Sequence, residues 1–518
     1  MKFRLNAVAR VCAIAAVSSS VGLTGMVHAE DSPQDVKQQI SDLQKQIEAL
    51  KSRVDKSADN QKPAGAAQAS GPGSSVERSS KNGMTFETRG GEVTFYGQVD
   101  VSLDTTTKGI ADMRDSAGKA PAGNGGWMPA LSTNLSYVGL RGQQAMNDME
   151  AKFVWQLETQ IDITANSGGS ASNSNNSDVV KGALTSRNSF IGLASSTWGA
   201  VKVGKTDAPY KTSTGMMNPF LGMLGDYSSI MGNSGGDNRV EFGTRLEHAI
   251  WYESPNFGGF SFKALVSPGQ NRATDNSNLA AGSADCAGGN IPGSGGTPVA
   301  CNDGSFGTAY SANAAYKTGG LYLTAAYELH EGVNRTSDLA TWDPNDIANE
   351  SATKVGAQYK FATGTTVSGI YESLERKVPA YLDYQNERTR TGYWLAVSQQ
   401  LDAKDSLHFG WAHANASPGD PGVHNSAGGA NPNNAADMLT LALKHQVDKS
   451  LTYYADYATT INQADAHYDL GAGGRGVTTD CHDASNPDTT GFDPNGGAPK
   501  CWAGGRLQGV SVGMKYVF

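Results

Sequence analysis

Gly509-Val-Ser-Val-Gly-Met-Lys-Tyr-Val-Phe518 closes the chain, and its period is two. Val510, Val512, Met514, Tyr516 and Phe518 fall on one face of an extended strand, alternating with Ser511, Gly513, Lys515 and Val517. An aromatic strand of this kind on an open sheet edge invites pairing with other chains. A closed barrel abolishes the edge, because its last strand pairs with its first. The first strand has the same period. Val93, Phe95, Gly97, Val99, Val101 and Leu103 oppose Thr94, Tyr96, Gln98, Asp100, Ser102 and Asp104. A third strand repeats it, with Phe153, Trp155, Leu157 and Ile161 against Lys152, Gln156, Glu158 and Asp162. Carboxylates and amides on the second face cannot sit in a dry core without partners. A two-layer sandwich with one wet face shows the same alternation, so the connections decide.

Sixteen strands are expected, near 92–104, 131–142, 149–163, 184–193, 200–205, 246–253, 259–267, 308–317, 320–329, 351–360, 365–374, 390–400, 406–414, 436–447, 451–460 and 506–518. Short turns such as Ser195–Gly199, Ser254–Gly258, Phe361–Gly364 and Asp448–Ser450 alternate strictly with long Gly-, Asn- and Asp-rich loops. The largest loops run near 206–243, 268–307 and 461–505. That alternation predicts an all-β fold, an antiparallel transmembrane barrel of the outer-membrane type. Sixteen strands leave a lumen wide enough for water.

Composition agrees. The 518 residues carry Gly 63, 18% charged residues and a net charge of -9, with 38% hydrophobic residues. So modest a hydrophobic fraction suits a barrel in which only alternate residues face lipid. The acidic balance, with no basic aromatic stripe, argues against nucleic acid. Lys2, Arg4 and Arg10, the apolar Val11–Val17 and the small-residue site Val27-His28-Ala29 read as a signal peptide over 1–29. A retained anchor is the alternative, but the apolar run is short for a spanning helix. Next, Val36, Ile40, Leu43, Ile47, Leu50 and Val54 follow the 4-3-4-3-4 spacing of a coiled-coil seam within a helix at 30–56. The seam would span roughly 27 Å, marginal for a lone helix. A solitary amphipathic helix is the other reading. Residues 57–90 read as a flexible Ala-, Gly- and Ser-rich linker, and 91–518 as the barrel.

Four of the five cysteines remain after cleavage, Cys286, Cys301, Cys481 and Cys501. In an oxidising compartment their spacing fits two loop-closing disulfides. A zinc site around Cys481-His482 is the competing reading, though its pattern is incomplete. Asp480, Asp483, Asp488 and Asp493 could gather a divalent cation or simply form a solvated loop. No metal or cofactor is assigned. Gly471, Gly473 and Gly476 satisfy G-x-G-x-x-G, but no helix follows. H-E-x-x-H and G-x-S-x-G are absent, so enzymatic chemistry is not expected.

Several motifs in order resemble the general porins of Gram-negative bacteria. They are Glu92-Val-Thr-Phe-Tyr-Gly, Arg187-Asn-Ser-Phe-Ile-Gly-Leu, Gly199-Ala-Val-Lys-Val-Gly-Lys205, Ile250-Trp-Tyr-Glu-Ser-Pro-Asn-Phe-Gly-Gly-Phe260 and Tyr516-Val-Phe518. The resemblance covers about residues 92–518 and implies a homotrimeric sixteen-stranded barrel whose third loop folds inward. It implies a passive channel for small hydrophilic solutes and ions in the outer-membrane lipid. Tyr516 and Phe518 resemble the aromatic signal read during barrel assembly. The coiled coil is an addition seen in some relatives, with a possible contact to the cell wall. In the family, acidic residues of the inward loop face basic residues of the wall. Matching positions put Asp226, Asp237 and Glu241 on the loop, with Arg187, Arg245, Lys205 and Arg239 as cations. Two departures stand out: Tyr137 and Trp251 occupy positions where the family tends to be basic. With Tyr96, Tyr322, Trp394 and Tyr454 on lumen faces by parity, two readings remain. The constriction is unusually aromatic and suits neutral or aromatic solutes, or the rings pack the loop against the wall. Envelope tethering through the N-terminal helix is a further alternative function.

Overall fold

The computed structural model describes residues 83–88, 91–107, 127–146, 150–161, 163–164, 187–232, 242–268, 287–288, 305–334, 347–386, 388–419, 433–466, 468–471 and 504–518. The signal peptide, the coiled-coil seam, the four cysteines and the aspartates between 480 and 493 lie outside these residues.

Sixteen antiparallel strands form the barrel wall. They are β1 (Gly91–Thr107), β2 (Trp127–Thr133 continued as Tyr137–Met146), β3 (Ala151–Gln160), β4 (Ser189–Ser195), β5 (Gly199–Asp207), β6 (Arg245–Glu253), β7 (Phe260–Ser267) and β8 (Ala309–Thr318). Then follow β9 (Leu321–Asn334), β10 (Ile347–Lys360), β11 (Thr365–Arg376), β12 (Arg390–Gln400), β13 (Asp405–Ala414), β14 (Ala436–Gln446), β15 (Leu451–Asn462) and β16 (Arg506–Val517). Each strand pairs with its sequence neighbour, and β16 closes on β1 from Gln98↔Val517 to Thr107↔Gln508. The closure continues one residue further, where Gly97 and Phe518 exchange both backbone bonds at 2.9 and 3.0 Å. Among the described residues the wall is thus closed, with no edge strand offered to another chain.

Burial follows the period. Leu103, Val512 and Tyr516 are exposed on the outside, whereas Asp100, Ser102, Asp104 and Ser511 are buried on the inside. Rings cluster near both ends of the outward band, with Tyr316, Tyr359 and Tyr516 near the short turns and Tyr310, Tyr371 and Tyr393 near the long loops. Such girdles mark the two membrane–water interfaces. Inside, rings lie over glycines of the neighbouring strand: Tyr96 over Gly139, Trp394 over Gly410 and Tyr454 over Gly513, each so close that a Cβ would overlap the ring.

Two local features depart from the sequence reading. Met84–Thr88, assigned to the linker by composition, is a strand paired with Gly91–Phe95 of β1. It occupies the part of the β1 edge lying beyond Phe518, which faces Gly97. The second strand is also broken. Between Val101↔Thr133 and Gln98↔Tyr137, β2 carries residues 134–136 where β1 carries only 99–100. This is a β-bulge, a device that re-aims a side chain locally. Asp100 fixes it, its carbonyl accepting from Asn134 N at 2.8 Å and its amide donating to Ser136 Oγ at 2.8 Å.

Candidate functional site

The segment between β5 and β6 does not stay at the barrel mouth. Its helix α1 (Pro209–Ser213) begins with Pro209, whose fixed φ suits a first helical turn. Tyr210 N donates to Ser311 Oγ on β8 at 3.0 Å, and Tyr322 on β9 donates to Ser213 O at 2.8 Å. Trp394 Nε1 on β12 donates to Met217 O at 3.1 Å, and Lys444 on β14 donates to Pro219 O. Returning, Arg390 donates to Ile230 O, and Gly232 N donates to Glu372 Oε1 on β11 at 2.7 Å. The loop therefore runs along the inside of β8–β15 and back.

Apolar packing supplies much of the adhesion. Met217, Phe220 and Ile230 are fully buried against Trp394, Ala412 and Met438. Each such side chain contributes about 1.5–3 kcal/mol on burial. Phe220 meets the Trp394 ring edge-on at 5.9 Å, in the notch left by Gly410. Glu372 is the polar anchor, taking the Tyr210 hydroxyl at 2.7 Å besides Gly232 N. Burial and this carboxylate hold the Tyr210 phenol well above its ordinary value, so it remains a donor. At its tip the loop reaches the bulge. A Cβ on Gly222 would stand 3.1 Å from Leu135 Cγ, and the φ of +79° there also favours glycine.

With β8–β15 covered, the open side of the lumen is bounded by β1–β7. A space of ≈ 640 Å³ lies between the loop and residues including Tyr96, Tyr137, Arg141, Glu158, Arg187 and Trp251. On this wall Arg187 Nε donates to Glu158 Oε1 at 2.6 Å and its guanidinium lies over Tyr137 at 4.6 Å. Arg245 pairs with Asp207 at 2.9 Å, and Lys211 reaches the same carboxylate at 2.9 Å. Trp251 packs edge-on to Phe190 at 5.4 Å and donates to Glu253 at 2.9 Å. Arg187, Arg245, Tyr137 and Trp251 thus share one wall.

Lys205 does not join them. It sits on the strand side of Val201 and Val203, which face outward, and pairs with Glu247 at 2.6 Å. The bulge between Gly204 and Thr206 sets the inward parity on either side of it. Asp226 lines the space, but its carboxylate is turned into the loop's own turns. It accepts from Asn218 Nδ2 at 2.8 Å, Gly222 N at 3.0 Å, and Ser228 N at 3.1 Å. Arg239, Asp237 and Glu241 lie outside the described residues. Of the other rings, Trp394 and Tyr322 hold the loop, while Tyr454 donates to Asp100 at 2.8 Å below the bulge. Tyr96, Tyr137 and Trp251 face the open side. Packing of the loop against the wall thus accounts for Trp394 and Tyr322 and not for Tyr96, Tyr137 and Trp251. Sequence reasoning passed over Arg141, although it shares the parity of Tyr137 and lies 4.8 Å over the Tyr96 ring. It also missed Glu372, for which no local pattern exists.

A sixteen-stranded barrel with charged inner walls and an inward loop is the architecture of a membrane channel. Residues 63–465 match the family model described as Gram-negative porin, and the chain belongs to that family. It is 29% identical over 175 residues to an outer membrane porin protein of Bordetella pertussis, covering 33% of this chain and 41% of that protein. It is 28% identical over 141 residues to the major outer membrane protein P.IA of Neisseria meningitidis serogroup C, covering 26% and 29%. The chain thus spans less than half the length of either curated relative. Among solved structures, the anion-selective porin from Comamonas acidovorans gives a TM-score of 0.55 at 19% identity, covering 82% of this chain and 99% of that one. Salmonella typhi OmpF, solved with daunomycin, gives 0.51 at 16% identity, covering 84% and 100%. At these identities the likeness is one of fold; it is the family match that places the barrel in the outer membrane.

Proposed function

We propose that the protein is a passive outer-membrane channel through which small hydrophilic solutes and ions diffuse along the β1–β7 wall. One observation carries this reading: the loop lies against β8–β15 and leaves the opposite, charged wall lining an open space. Diffusion past such a wall needs no cofactor or energy source, and we assign the chain no catalytic role. Charged side chains replace part of the hydration an ion loses on entry. Purified protein in planar bilayers, with KCl on both sides, should give discrete conductance steps. A silent, inserted barrel would sink the reading. Steps in groups of three support the homotrimer expected from the family. The signal peptide, the paired cysteines and the coiled-coil seam at 36–54 remain part of this proposal. Attachment to the cell wall through that helix is tested by deleting residues 31–56. Lost envelope attachment with intact conductance would support tethering.

A further inference from the structure

We propose that the β1–β7 wall carries a saturable subsite for neutral cyclic sugars, seated between the Tyr96–Tyr137 corner and Leu221 and hydrogen-bonded by the ion pairs Arg187–Glu158 and Lys211–Asp207. The proposal rests on the channel reading above and names the solute class that reading leaves open.

Charge around the space is balanced. Its described lining holds five cationic and five carboxylate side chains, so a mobile ion of either sign gains little from the site as a whole. The pairs beside the rings are closed. Arg187 Nε donates to Glu158 Oε1 at 2.6 Å, and Lys211 reaches Asp207 at 2.9 Å. Asn188, next in the chain to Arg187, donates to Asp207 Oδ2 at 2.9 Å and makes the two pairs neighbours. A closed pair still sets N–H donors beside carboxylate lone pairs. A hydroxyl is both donor and acceptor. Two adjacent sugar hydroxyls can therefore accept from the cation and donate to the carboxylate of one pair, each bond strengthened by the charge.

Apolar contact is offered from both sides of the gap. Tyr96 and Tyr137 are half-buried, border the space, and set their rings 6.3 Å apart at 70°, forming a corner. Corner and ion pair are joined, because Tyr96 donates to Glu158 Oε2 at 3.0 Å and the Arg187 guanidinium lies 4.6 Å over Tyr137. Across the space Leu221 is 47% exposed, whereas the Asp226 carboxylate is turned into the loop. A pyranose ring matches this division. Its faces carry C–H groups that meet the tyrosines and the leucine, and its rim carries hydroxyls that meet the pairs. An open-chain polyol has the hydroxyls without the face, and it must freeze its backbone rotors to present them.

Bilayer recordings in KCl with added glucose or sorbitol, its open-chain reduction product, test this. Glucose should reduce the current saturably at concentrations about fivefold below those of sorbitol, the scale expected of rotors the ring has already fixed. Glu158→Gln/Arg187→Gln removes one charge of each sign, so a net field cannot account for its effect. Glucose block should weaken about threefold there, since neutral bonds replace charge-assisted ones. Tyr137→Ala should bring glucose to the potency of sorbitol. KCl steps of any size report that each variant is inserted and open. Equal potency of glucose and sorbitol on the unmodified channel overturns the proposal. A preference that survives Tyr137→Ala, or a block indifferent to the double variant, overturns it as well. If the unmodified protein conducts nothing, the channel reading fails by itself. Saturation-transfer NMR on protein folded in a sugar-free detergent then decides the subsite: transfer to glucose above that to sorbitol supports it, and equal transfer or none overturns it.

Discussion

Glu372 shows how much of the lumen's geometry hangs on single buried groups. Its two oxygens hold the outgoing and returning arms of the loop, through Tyr210 at 2.7 Å and Gly232 N at 2.7 Å. Glu372→Ala should cost about 2–3 kcal/mol, the usual effect of deleting a charged hydrogen-bond acceptor. The expected readouts are a lower thermal midpoint and larger, noisier current; unchanged conductance would mean that the apolar contacts suffice. Gly410→Ala forces Phe220 and the Trp394 ring out of their notch and should destabilise by about 1–3 kcal/mol, measured by urea unfolding in detergent. At the turns, backbone N–H groups of Lys404 and Asp405 hold the Asp402 carboxyl below its ordinary value. A lowered folded-state value stabilises above the ordinary carboxylate range and is lost as pH falls through the folded value. Asp402→Asn should therefore lower thermal stability at pH 7, by a margin that shrinks as pH falls below the ordinary carboxylate range.

Elements were legible in proportion to how local their causes are. The period-two pattern located all sixteen strands, because every second residue meets lipid and the sequence must say so at each step. The bulge at 134–136 escaped, since it depends on Asp100 bonding Asn134 and Ser136 rather than on any break in the pattern. The Met84–Thr88 strand was hidden by averaging its alternation into a Gly- and Ser-rich stretch. The path of the loop could be inferred only by resemblance, because its anchors are distant in sequence: Trp394 lies 177 residues from Met217. Motif matching assigns Arg187, Arg245 and Lys205 to the wall; Arg187 lies over Tyr137 there, whereas Lys205, on the parity of the outward Val201 and Val203, pairs with Glu247. The bulge yields a prediction of its own. Deleting Leu135 restores an even register and removes the seat of the loop tip at Gly222. The barrel should still form, while open-channel current noise rises; quiet current would show that the tip needs no such support.

Across the whole molecule, the net charge of -9 says little about what an ion meets. The wall carboxylates Glu328 and Glu372 bond to the loop and Glu350 to Arg376, and all three are nearly inaccessible. Among the described residues the open side sets Arg141, Arg187, Lys211, Lys263 and Lys354 against Glu158, Asp207, Asp226, Glu253 and Glu372, a balance of charge. Reversal potentials in a KCl gradient should accordingly lie near zero despite the acidic chain. Arg141→Gln/Arg187→Gln should move the potential toward cations, and a cation-selective parent channel would contradict the assignment of this wall.

The rings seated on glycines carry a consequence for how such a sequence can drift. Tyr96 on Gly139, Trp394 on Gly410 and Tyr454 on Gly513 are two-residue units split between neighbouring strands. A side chain at the glycine alone collides, and loss of the ring alone leaves bare backbone. Descendants should therefore change both partners or neither, so among diverged copies these positions would covary while the lipid-facing residues beside them exchange freely.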